Sequence, residues 1–147
     1  MIKRILLGSA SLALLLGGTG AFSAPINHPE AAALCPGLRI DNVIQGTQNA
    51  EVIRGTGGND FILAYGGNDI INGGGGDDCI SAENGDDRVS GGTGNDQLFG
   101  GDQSDWMDGG SGNDRLIGSI GHETLLGGSG GDYLDGGPDQ DTANGNS

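Results

Sequence analysis

From Gly46 onward an apolar residue returns at every ninth position: Ile53, Ile62, Ile71, Ile80, Val89, Leu98, Met107, Leu116, Leu125, Leu134 and Ala143. Two residues before each stands an acid: Glu51, Asp60, Asp69, Asp78, Asp87, Asp96, Asp105, Asp114, Glu123, Asp132 and Asp141. The phase holds through eleven nine-residue blocks, Gly46 to Asn144, without an insertion. Self-similarity at a fixed period is the mark of a solenoid. Gly crowds positions one, two and four, where it permits the positive φ of a tight turn. Positions seven to nine read as a very short strand, with the eighth residue inward and its neighbours outward. Each block thus gives one turn and one strand, and two blocks make a full coil. The expected fold is all-β: a parallel β-roll whose two short-stranded sheets face each other across a thin aliphatic core.

Composition alone points elsewhere. The 147 residues include 33 Gly and 20 Asp or Glu, with a net charge of -14 and 4% aromatic residues. Low hydrophobicity with high charge describes a disordered chain. A disordered chain has no reason to keep an acid and an aliphatic residue in phase eleven times, so the pattern decides.

The opening residues differ. Lys3 and Arg4 precede a mostly apolar run, Ile5 to Leu16, followed by small residues. This reads as a secretory signal peptide, residues 1–23, cut after Ser23. The run is shorter than the roughly 20 residues that span a bilayer; an uncleaved anchor is the alternative. Without Lys3 and Arg4, four Arg face twenty acids, a net charge of -16. Such a chain repels nucleic acid and anionic lipid and attracts cations. The remaining divisions are an N-terminal arm and capping block (24–45), the roll (46–144) and a short tail (145–147). In the capping block Ile44 takes the inward position and Asn42 the place of the acid. Cys35 and Cys79 are expected to form a disulfide in an exported chain, pinning the arm over an apolar spot beside Phe61 and Leu63.

The acids suggest the ligand. Blocks two apart stack directly, so sixth-position carboxylates lie at about the strand spacing of 4.7–4.9 Å. Calcium sits about 2.3–2.6 Å from six to eight oxygens, so one ion can join two stacked turns, with turn carbonyls completing the set. Magnesium demands a stricter octahedron, and zinc needs Cys and His at tetrahedral spacing. The chain has two of each, scattered. The candidate ligands are Asp60, Asp78, Asp96, Asp114 and Asp132 on the edge built by even-numbered blocks. Asp69, Asp87 and Asp105 lie on the other edge. The fourth-position glycines Gly58, Gly76, Gly94, Gly112 and Gly130 are the candidate carbonyl donors. About four to six calcium ions are expected. The even edge keeps its turn glycines and should hold about four of them. On the odd edge Asn49, Gln103 and Asp139 occupy turn positions that favour positive φ, and Glu replaces Asp twice; its best ion is expected between Asp69 and Asp87. A thin core cannot outweigh the entropy of ordering about a hundred residues, so folding should need the metal.

The blocks GGTGNDQLF, GGSGNDRLI and GGSGGDYLD resemble the RTX, or haemolysin-type, calcium-binding nonapeptide repeat. The resemblance implies a right-handed parallel β-roll with calcium between successive turns. More weakly, Cys35-Pro-Gly through Ile44-Gln-Gly-Thr is similar to short secreted actinobacterial calcium-binding proteins of that family. No base, nucleophile and orienting group converge in the pattern; His28 and His122 have no convincing partners, and an enzyme is not expected. The expected role is a secreted, extracellular calcium-binding module, structural or adhesive, that orders itself on meeting calcium. Alternatives are an ice-binding module, a surface-layer or adhesin piece docking through outward Phe61, Leu63, Phe99, Ile117 and Tyr133, or an accessory module of an extracellular enzyme. A cell-surface or protein partner is left open.

Overall fold

The structure is a computed structural model that describes residues 29–145. The expected signal segment and His28 lie outside the described residues. A short helix, α1 (Pro29–Leu34), leads into twelve parallel strands in two six-stranded sheets. The first sheet stacks β1 (Asn42–Gln45), β3 (Asp60–Leu63), β5 (Cys79–Asn84), β7 (Gln97–Asp102), β9 (Arg115–Ile120) and β11 (Tyr133–Asp135). The second stacks β2 (Val52–Arg54), β4 (Ile70–Gly75), β6 (Arg88–Thr93), β8 (Trp106–Ser111), β10 (Thr124–Ser129) and β12 (Thr142–Asn144). The chain alternates between sheets, so every pair joins residues eighteen apart, as Ile62 with Ile80 and Ile71 with Val89. The two-block coil of the sequence reading is therefore the observed one.

The core is a double file of eighth-position residues. Ile44, Ile53, Ile62, Ile71, Ile80, Val89, Leu98, Met107, Leu116 and Leu125 form one buried cluster with Ala64 and Ala82. Leu134 packs against it half-buried, and Ala143 is exposed in the last coil. The central strands run six residues rather than three, continuing through the first three positions of the next block. Stacked turns of like shape keep pairing around the bend, as Gly74 does with Gly92 and Gly75 with Thr93.

The N-terminal arm covers the outer face of the first sheet. Ala31, Cys35, Ile40, Val43, Phe61, Leu63 and Cys79 form a second buried cluster, edged by Leu34, Leu38, Tyr65 and Phe99. Cys35 and Cys79 are joined, closing a separation of 44 residues. Phe61 and Leu63 are thus under the arm. The outward row expected to dock a partner is reduced to half-buried Phe99 and Ile117 and exposed Tyr133. Asn42 stands on the rung before Asp60: its amide donates to Asp60 Oδ1 at 2.7 Å, where another carboxylate would repel.

Replacing both Cys35 and Cys79 with Ser should cost about 2–4 kcal/mol. Amide exchange should rise most across residues 31–43 and much less in β6 to β9. Equal loss of protection in arm and coils would contradict this local role.

Candidate metal centre

Every sixth-position acid from Asp60 to Glu123 is buried. The reason is geometric: positions six and eight lie on the same side of the strand, so both point inward. One carboxylate oxygen is spent on the stack. On the even edge the backbone N–H of Asp60 donates to Asp78 Oδ1 at 2.8 Å, Asp78 to Asp96 at 2.8 Å, Asp96 to Asp114 at 2.8 Å and Asp114 to Asp132 at 3.0 Å. The other oxygen has no donor. Oδ2 of Asp69, Asp78, Asp87, Asp96, Asp105, Asp114 and Asp132 is buried and unpartnered, and so are both oxygens of Glu123.

These orphan oxygens share an opening with main-chain carbonyls. A Cβ placed on Gly73 would meet Asp78 Oδ2 and the carbonyl of Gly91; one on Gly91 would meet Asp96 Oδ2 and the carbonyl of Gly109. Gly109 repeats the arrangement with Asp114 and Gly127, and Gly100 with Asp105 and Gly118. A carboxylate oxygen without a donor, beside a main-chain carbonyl and a space left clear by a missing side chain, fits a hard cation. The fourth-position carbonyls of Gly76, Gly94 and Gly112 point up the stack at Gly94, Gly112 and Gly130, and the second-position carbonyls of Gly74, Gly92 and Gly110 do likewise. Among the described residues no three His, Cys, Asp or Glu side chains cluster as a metal site. Such a site therefore draws on one carboxylate per turn and on the main chain, which suits calcium and not zinc.

The two edges differ. The even edge carries a second ladder at position five: Asp77 N–H donates to Asn59 Oδ1 at 2.9 Å, Asn95 to Asp77 at 2.7 Å, Asn113 to Asn95 at 3.0 Å and Gly131 to Asn113 at 2.9 Å. On the odd edge the matching bonds are 3.3 Å from Asp86 to Asn68, 3.1 Å from Ser104 to Asp86 and 3.4 Å from His122 to Ser104. Among the described residues the four non-glycine residues at positive φ, Tyr65, Glu83, Gln103 and Ser119, all belong to odd turns; each carries the cost of a side chain in the left-handed region. Asn49 and Asp139, expected there too, are not: they sit in the first and last odd turns, stacked on one side only. Ala64 and Ala82 put methyl groups at the positions equivalent to Gly73 and Gly91, beside Asp69 and Asp87, where the best odd ion was expected. At Glu123 the extra methylene occupies the opening itself, for a Cβ on Gly118 would meet its Cγ first and the carboxyl carbon behind it.

The sequence reading missed two features. First-position glycines are not at positive φ; they are Gly because a methyl would intrude on the carboxylate. The first turn of each edge closes on itself: Thr47 N–H donates to Glu51 Oε2 at 2.8 Å, and Thr56 N–H to Asp60 Oδ2 at 2.6 Å. Asp60 thus has both oxygens engaged. The Gly-Thr pair opening these two blocks was the available signal, since a β-branched Thr at position two is poorly suited to the positive φ that Gly74, Tyr65, Glu83 and Ser119 take there.

Burial also raises the proton affinity of the rank. Asp78 is pushed up to about 8, Asp96 and Asp105 to about 7, and Asp69 to about 6, burial being the largest cause and neighbouring carboxylates adding to it. Glu123 rises to about 7, through burial and then the adjacent Asp141.

A parallel β-roll with stacked carboxylates, each with an oxygen lacking a donor beside main-chain carbonyls, defines a class: a cation-binding solenoid. A family model described as the RTX calcium-binding nonapeptide repeat, in four copies, matches residues 45–78, 81–116 and 117–147. The chain belongs to this family of calcium-binding repeat proteins. No curated relative and no solved structure matches it.

Two outcomes follow. Asp96→Ala should weaken calcium binding by tenfold or more, and Asp105→Ala by much less, because Asp96 joins two intact rungs whereas the rung above Asp105 fails at Glu123; calorimetric titration of both variants checks this. Without calcium, the folded chain binds more protons than the unfolded one, whose carboxylates titrate near about 4. The stability this supplies is complete below that pH and lost as pH rises through about 6 to 8. In chelator the urea midpoint should therefore fall as pH rises from 5 and vanish by about pH 7.5, while calcium affinity rises. A midpoint that climbs with pH in chelator would contradict the assignment.

Proposed function

We propose that this chain is a secreted structural module that folds when calcium reaches its turns. The observation that carries the reading is the rank of buried Oδ2 atoms with no donor. A calcium ion supplies the positive charge that lets these carboxylates stay ionised within the fold, and its binding free energy becomes folding free energy. Four strong ions are assigned to the even edge, keyed by Asp78, Asp96, Asp114 and Asp132, with Asp60 a peripheral ligand already held by Thr56. Gly58, Gly76, Gly94, Gly112 and Gly130 line the same turns. Asp69, Asp87 and Asp105 hold weaker ions, for a total of about four to six. Export is supported by the basic-then-apolar start of the chain and by the disulfide, a bond that persists in oxidising compartments. No helix among the described residues is long and apolar enough to cross a membrane. The role is structural or adhesive rather than catalytic: His122 bonds only to neighbouring turns, through Ser104 and the carbonyl of Gln140.

The test is circular dichroism of the processed chain. In chelator at pH 7.5 the spectrum should be that of a disordered chain, and millimolar calcium should bring β signal and compaction. Equal magnesium should do much less. A compact β-rich state in excess chelator at that pH would overturn the reading. Turnover of protein, ester or polysaccharide substrates would overturn the structural role.

A further inference from the structure

No described residue outside the sheet covers Val52 and Ile70 on the outer face of the second sheet. That face carries a shallow groove of about 280 Å³ lined by Val52, Arg54, Ile70, Asn72, Arg88 and Trp106, with Ser90 and Asp108 beside them. Its two central aliphatic residues, Val52 and Ile70, are 54% and 53% exposed. They are the counterparts, on the same rungs, of Val43 and Phe61, which the arm buries on the opposite sheet. Neither Arg54 nor Arg88 forms an ion pair with a described residue, in a chain of net charge -14. The Arg88 guanidinium instead lies 3.9 Å from the centroid of the Trp106 ring.

The register of this face is self-complementary. Its outward residues form two columns. Position seven reads Val52, Ile70, Arg88, Trp106, and position nine reads Arg54, Asn72, Ser90, Asp108. A two-fold axis lying along the strands between β4 and β6 reverses the order of rungs and keeps each column opposite itself. Arg54 then faces Asp108 of the second copy, and Val52 faces Trp106; each pairing occurs twice. Ile70 meets the aliphatic stem of Arg88, and Asn72 meets Ser90. We propose that this face is the interface of a two-fold homodimer. It gives both unpaired arginines a setting and covers the exposed aliphatic pair. The four rungs span only about 14–15 Å of the stack, a footprint below that of a permanent dimer, so the association is reversible. Calcium favours it twice, by ordering the face and by lowering the charge that drives the copies apart.

The experiment is sedimentation equilibrium of the processed protein in millimolar calcium over a wide concentration range, with circular dichroism on each sample. The proposal rests on calcium-ordered folding, and the spectrum reads that separately. A reversible monomer–dimer equilibrium is expected. Arg54→Asp alone or Asp108→Arg alone should weaken association by about tenfold or more through like-charge contact. The double exchange Arg54→Asp with Asp108→Arg should restore it, and Trp106→Ala should weaken it with the fold intact. A folded protein that stays monomeric throughout would overturn the proposal. So would a dimer indifferent to either single reversal, or a double exchange that fails to recover.

Discussion

Like charges stacked inside the molecule are the constraint on which the structure depends. Each turn sends a carboxylate inward, one strand spacing from the next, and one of its oxygens is tied to the neighbouring rung. Past the first turn of each edge, from Asp69 to Asp132, the second oxygen is left without a donor. Buried ionised groups are tolerated only when compensated. Protons or a cation can do this, and both act on the same oxygens. The thin aliphatic file between the sheets fixes the coil, but it does not remove that repulsion.

The glycines answer to the same constraint in two ways. At positions two and four they take the left-handed conformation that closes the turn, as Gly74 and Gly76 do. At position one they keep a space clear beside the carboxylate, as Gly73 and Gly91 do. Where the chain starts its stack, other devices replace the cation. Thr56 closes on Asp60, and Asn42 presents an amide donor in place of an acid. Side chains at positive φ, methyl groups at Ala64 and Ala82, and the long arm of Glu123 all gather on the odd edge. The odd edge therefore carries the strain, and its position-five bonds are longer than those of the even edge.

Much of this was legible in the residues. The nine-residue phase of Ile62, Ile71 and Ile80 gave the coil, because an inward position can be read from its period alone. The disulfide and the buried arm followed from Cys79 standing among apolar outward residues. The inequality of the edges was visible in the lost glycines and in Glu123. Less legible was anything set by stacking. Six-residue strands arise because turns pair with turns. Asn49 and Asp139 escape positive φ because end turns have a neighbour on one side. The space at position one depends on a carbonyl eighteen residues on as well as a carboxylate five residues on, as Gly91 and Asp78 stand to Gly73. The arm's coverage of Phe61 and Leu63, and the bare face at Val52 and Ile70, required the two sheets to be seen together.

The central claim is that folding is the uptake of calcium by these oxygens. Linkage makes it measurable: the unfolding free energy at pH 7.5, followed by urea titration, should rise with the logarithm of free calcium. The slope counts the ions taken up, and the account predicts about four or more. A slope near zero, with the roll equally stable at every calcium concentration, would contradict it.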